Sequence, residues 1–211
     1  MADTGSIDVP EISIEWYRDV VDAAADSPQA VQWFVGHATE GVILLLGALL
    51  LAAALSRLAG GPHNRALALV APLPTLLAYA GSEWLKTVVD EDRPCRTIGQ
   101  AIIAGACPPP GDWSFPSNHA TVAGALAVTT LLLSRRLGLV ALPLAALAAF
   151  SRVFVGVHYP HDVVAGVLLG ALVAAVMTPL LARPTAEALR RRADRARRPE
   201  PDLAGGSRTV R

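Results

Sequence analysis

Five long apolar runs constrain this chain more than any other feature. Val42 to Ala59 is almost pure Leu and Ala, and Arg65 to Leu85 follows it. His119 to Ser134 is a shorter third run, and Leu137 to Val157 and Val163 to Ala182 complete the set. Each approaches the ~20 residues an α-helix needs to cross a bilayer. Hydrocarbon offers no partner to a free peptide N–H or C=O, so runs of this kind are expected to be helical. With 53% hydrophobic and 17% charged residues among 211, an ordinary soluble domain is excluded. The expected fold is all-α, an integral membrane helical bundle of about five spans. Pro72 and Pro74 predict a kink in the second span. The Ala, Gly, Ser and Thr spread through the runs suit close helix–helix approach.

The flanks differ from this core and from each other. Residues 1–40 hold eight acids against a single base, Arg18. Within 11–35, Ile12, Ile14, Trp16, Tyr17, Val20, Val21 and Ala24 recur at roughly helical spacing. They predict an N-terminal interfacial amphipathic helix, with Trp16 and Tyr17 at headgroup depth. The N-terminus does not read as a cleavable signal peptide, so the first span is expected to direct insertion. Residues 183–211 carry nine arginines against four acids. The chain thus divides into an acidic lead with its helix (1–40), a transmembrane domain (41–183) and a basic tail (184–211), expected to be disordered.

The positive-inside rule orients these parts. The Arg-rich tail, the Arg135–Arg136 turn and the turn from Arg57 to Arg65 are expected on the cytoplasmic side of the cell membrane. The acidic N-terminus, the loop from about Thr87 to Phe115 and the turn near Tyr159 then fall outside. The chain's two cysteines, Cys95 and Cys107, both lie in that outer loop, where an oxidising compartment would allow a disulfide; two free thiols are the other reading. Expected partners are the bilayer and an anionic lipid rather than nucleic acid. The sequence carries no sign of oligomeric state.

Three polar clusters interrupt the apolar pattern, and the topology brings all three to the outer face. In the first, Lys86 and Arg93 are seven residues apart, about two helical turns, and Pro94 is expected to end that helix. In the second, Pro116, Ser117 and Asn118 form a helix start, with His119 in the first turn; the free N–H groups of such a terminus suit an anion. In the third, Arg152 lies near the end of an apolar helix, where an unpaired charge is expensive. His158 and Asp162 follow, four apart, with Pro160 positioned to open the next helix. A carboxylate at that distance can fix the tautomer of His158 and leave its other nitrogen free to attack. Each cluster alone also reads as ordinary capping, snorkelling or turn chemistry. A metal site is disfavoured, because three converging cations repel a divalent ion, and neither a Cys pair nor HExxH spacing is present.

Taken in order, the clusters resemble the signature of the type 2 phosphatidic acid phosphatase superfamily, which includes vanadium haloperoxidases and bacterial acid phosphatases. That signature runs K-x6-R-P, P-S-G-H, then S-R-x5-H-x3-D. The matching positions are Lys86, Arg93 and Pro94; Pro116, Ser117 and His119; Ser151, Arg152, His158 and Asp162. Asn118 stands where the family has glycine. The resemblance implies a membrane phosphatase acting on a lipid phosphate monoester or pyrophosphate, with no cofactor and no metal. Polyprenyl pyrophosphate, phosphatidic acid and phosphatidylglycerol phosphate are the implied substrates. His158 would be the nucleophile, Asp162 its orienting partner and His119 the acid and base. Lys86, Arg93, Arg152, Ser117 and Asn118 would hold the phosphate. A lipid phosphotransferase would use the same residues, and a non-catalytic lipid-binding bundle is the reading that treats the match as coincidence.

Overall fold

The computed structural model describes residues 9–100, 102, 103 and 105–197. Eight helices form the described chain, with no strand among the described residues: α1 (Glu11–Ala25), α2 (Gln29–Leu58), α3 (Pro62–Val70), α4 (Leu73–Val89), α5 (Pro94–Thr97), α6 (Asn118–Leu133), α7 (Arg135–Phe154) and α8 (Pro160–Arg197). It is a helical membrane bundle, as the apolar runs predict.

Four stretches are long and apolar enough to cross a bilayer: Gln29–Leu58, Pro62–Thr97, Arg135–Phe154 and Pro160–Ala196. The expected third span, α6, has 16 residues. At 1.5 Å per residue it is about 24 Å long, short of the ~30 Å hydrocarbon core. It sits at the centre of the bundle, against α2, α4, α7 and α8, so protein rather than lipid sets its length.

The packing puts small residues inside and large ones outside. Ala120, Ala123, Ala125, Ala127 and Thr130 of α6 are buried, while Leu44 of α2 is 75% exposed and Trp84, Leu168 and Leu172 face outward as well. Lipid tails are as apolar as Leu, so close backbone approach rather than burial of large side chains holds such helices together. At Gly170 of α8 an added Cβ would lie 2.0 Å from the Thr121 carbonyl oxygen, and at Gly166 it would lie 2.6 Å from that of Ser117. Any larger residue would push α8 off α6.

Several boundaries differ from the sequence reading. The interfacial helix of residues 11–35 is two helices, broken at Ser27 because Pro28 disfavours a helical residue before it. Tyr17 is fully buried, packed near Tyr159 and donating to the Gly156 carbonyl at 3.0 Å, whereas Trp16 stays exposed. The α1 helix therefore closes one end of the bundle instead of resting only on lipid. The kink predicted from Pro72 and Pro74 is a full interruption between α3 and α4 at Ala71 and Pro72. At the other end α8 continues through residues 184–197, where a disordered tail is expected. Residues 198–211 lie outside the described residues.

Candidate active site

Lys86 and Arg93 do not share a helix. The α4 helix stops at Val89, and Asp90 takes the left-handed conformation (φ 49°), which Asp tolerates better than most residues. The Asp90–Glu91–Asp92 turn then delivers Arg93 back beside Lys86. Pro94 opens the one-turn helix α5 rather than ending α4. Nearby, Cys95 and Cys107 are bonded, with Cα atoms 5.9 Å apart, tying down the loop that leads to Asp112. Ser117 stands at the N-cap position of α6, although its Oγ makes no hydrogen bond among the described residues; Arg152 lies in the last turn of α7, and Pro160 starts α8 with Asp162 in its first turn.

Lys86, Arg93, Asn118, His119, Arg152 and His158 together line a cavity of about 330 Å³. Ser117 and Asp162 do not line it; both are fully buried behind it. Arg93 is the hub. Its Nη1 donates to the Val157 carbonyl at 3.0 Å and to His158 Nε2 at 3.0 Å, and its Nη2 reaches Asp112 Oδ1 at 2.8 Å. A guanidinium only donates, so His158 Nε2 is the acceptor and carries the lone pair. The Nδ1 hydrogen then points toward Asp162 Oδ2, 3.3 Å away. Burial pushes the His158 imidazole down to about 4; Asp162 opposes the shift, and Arg93 and Arg152 add to it. At neutral pH it is an uncharged base with its free nitrogen at the cavity wall.

Behind His158 the bonding is dense. Ser114 Oγ donates to Asp162 Oδ2 at 2.5 Å, and the Tyr159 backbone N–H donates to the same oxygen at 2.8 Å. His161 Nε2 lies 3.0 Å from Glu91 Oε2 and 3.2 Å from Asp162 Oδ1. On its other side His161 Nδ1 meets Ser13 Oγ of α1 at 2.7 Å. Glu91, His161 and Asp162 bring ligand-type atoms within 4.8 Å of one another, the one such cluster among the described residues. It lies outside the cavity lining, and His161 already stands between the two carboxylates.

In front of His158 the cations meet acids that sequence reasoning missed. Asp112 Oδ1 lies 3.2 Å from Lys86 Nζ as well as beside Arg93. Burial works to raise the Asp112 carboxyl, but Arg93 and then Lys86 hold it below the ordinary carboxylate value. Glu40 Oε1 of α2 lies 2.7 Å from His119 Nε2. Asn118 accepts from Ser82 Oγ at 2.6 Å and donates its amide to Glu83, so the residue replacing the family glycine clamps α6 to α4. Arg152 Nη1 reaches Thr39 Oγ1 at 3.3 Å, and its Nε has no partner among the described residues. Glu40 was legible as an acid at the edge of an apolar run. Asp112 and Ser114 sit in the long loop with no motif to mark them.

A helical membrane bundle with a neutral histidine facing a cavity of three cations defines a class built to bind a phosphate at a bilayer boundary. The family model of the PAP2 superfamily matches residues 66–185, and the chain belongs to that superfamily. It is 38% identical over 138 residues to the decaprenylphosphoryl-5-phosphoribose phosphatase of Mycobacterium tuberculosis, covering 64% of this chain and 68% of that one. It is 36% identical over 112 residues to an undecaprenyl-diphosphatase of Sulfolobus acidocaldarius, where the match spans 51% of this chain and only 52% of the archaeal protein. The crystal structure of a PAP2-type phosphatidylglycerolphosphate phosphatase from Bacillus subtilis superposes with a TM-score of 0.58 at 20% identity, covering 85% of this chain and 89% of that one; this likeness is one of fold.

Proposed function

We propose that the protein is a metal-independent phosphatase hydrolysing a lipid phosphate monoester or pyrophosphate. The observation that carries this reading is the placement of His158 Nε2, a neutral lone pair at the wall of a cavity lined by Lys86, Arg93 and Arg152. His158 attacks phosphorus as the bond to the leaving oxygen breaks, and His119 supplies the proton to that oxygen. His119 then takes a proton from water as the water attacks the phosphohistidine, freeing phosphate and His158. Asp162 holds the Nδ1 hydrogen throughout, and the three cations balance the charge on the equatorial oxygens. To serve, Arg93 exchanges His158 and Asp112 for phosphate oxygens. Ser117 supports the start of α6 from behind, and Asn118 fixes it to α4.

An anchored substrate suits this site, because Ile43 of α2, Tyr79 of α4 and Val122 of α6 line the same cavity and give an acyl or prenyl chain an apolar wall. Topology follows from charge. Arg57 Nε donates to the Leu133 carbonyl at 2.7 Å and its Nη1 to Asn64 Oδ1 at 2.8 Å, so the basic turns after α2 and α6 share one end of the bundle. The cavity and the disulfide lie at the other. We assign the basic end and the C-terminus to the cytoplasm and the cavity to the outer face of the cell membrane. Residues 1–40 serve as an N-terminal segment, 41–183 as the phosphatase domain and 184–211 as a basic extension.

The test is phosphate release in detergent with EDTA present, from polyprenyl pyrophosphate, phosphatidic acid and phosphatidylglycerol phosphate, by wild type and His158→Ala. Release by wild type alone is expected. Wild-type rates in the folded variant would sink the proposal.

A further inference from the structure

Cations and acids meet around the cavity, with Asp112 between Lys86 and Arg93 on the His158 side. Lys86, Arg93 and Arg152 converge on the side of His158, and no other Lys or Arg lines the cavity among the described residues. Acids of α2 and α4, Glu40 and Glu83, flank the first turn of α6. Glu40 Oε1 lies 2.7 Å from His119 Nε2, and Glu83 accepts from the Asn118 amide while lying 3.8 Å from Lys86. The side chains of Glu40 and Glu83 are 67% and 47% exposed, at the mouth rather than in the wall.

His119 is the group that meets the leaving oxygen, a placement that rests on the function proposed above. The atoms just beyond that oxygen must therefore pass Glu40 and Glu83. Ionised carboxylates only accept hydrogen bonds. Hydroxyl groups satisfy them, whereas a second phosphate brings more acceptors and more negative charge into the same space. A mismatch of this kind discriminates more strongly than an extra favourable contact, because it leaves charged groups facing one another unpaired.

We propose that Glu40 and Glu83 are specificity-determining residues that make the substrate a phosphate monoester on a hydroxylated headgroup, such as a lipid-linked glycerol or sugar, and select against polyprenyl diphosphates. The full chain in detergent with EDTA, assayed on phosphatidylglycerol phosphate and on a polyprenyl diphosphate, tests this. Wild type is expected to favour the monoester at least tenfold in kcat/KM. Glu83→Gln and Glu40→Gln are each expected to narrow that preference at least threefold, chiefly by lowering KM for the diphosphate. Glu83 does not touch His119, so its variant separates selectivity from damage to the general acid. Equal or faster turnover of the diphosphate by wild type would overturn the proposal, as would an unchanged ratio in both variants. If neither lipid releases phosphate above the His158→Ala background, the phosphatase reading falls first and this one falls with it.

Discussion

The two ring nitrogens of His158 look into different surroundings. Nε2 faces the cavity, where Arg93 and Lys86 meet Asp112, whose side chain is 42% exposed. Nδ1 faces Asp162, Ser114 and, one shell further, His161 and Glu91, where the two carboxylates are buried. Only the Asp112 end of these pairs is exposed, so a phosphate can reach both cations and take its place. Breaking a buried hydrogen-bonded group costs about 1–3 kcal/mol, so the back of the site holds its geometry while the front exchanges. Polar contacts around one histidine thus divide into a replaceable set and a permanent one.

The largest expected effect is on the permanent side. Asp162→Asn would keep the shape but offer the wrong hydrogen-bonding partner to Nδ1, and kcat should fall about 10³–10⁴-fold with KM little changed. A KM defect instead would erase the contrast between the two sides. On the cavity side, Arg152→Gln should lower kcat/KM about 10²-fold while thermal stability in detergent changes little. A large loss of stability would mean that Arg152 belongs to the permanent set.

Asp112→Asn should act in the opposite direction. Without a carboxylate to displace, inorganic phosphate and vanadate should inhibit about fivefold more tightly, the equivalent of ~1 kcal/mol. Weaker inhibition would show that Asp112 orients Arg93 for the substrate rather than standing in its place.

Much of this molecule could be read one segment at a time. The apolar runs marked the spanning helices, because a bilayer imposes a length and an apolar surface that composition alone reveals. Pro160 at the first position of α8 and Ser117 just before α6 marked helix starts, because these preferences act over a few neighbouring residues. The spacing of His158 and Asp162 placed both on one side of a single turn. Where local cues competed, the outcome moved. Lys86 and Arg93 looked like one helix face, but three acids in succession favoured a turn. Trp16 and Tyr17 looked alike, yet one is exposed and the other is buried under α1.

What the sequence determined by itself was the helical membrane class, the family and the residues that carry its motif, since each depends on residue type at fixed separation along the chain. Tertiary structure alone decided that Asp112 would sit between Lys86 and Arg93, that Glu40 would reach His119 from 79 residues away, and that Ser114 would lock Asp162. These contacts join helices and a loop far apart in the chain. Their energies depend on burial and approach distance, which exist only after α6 has packed between its neighbours.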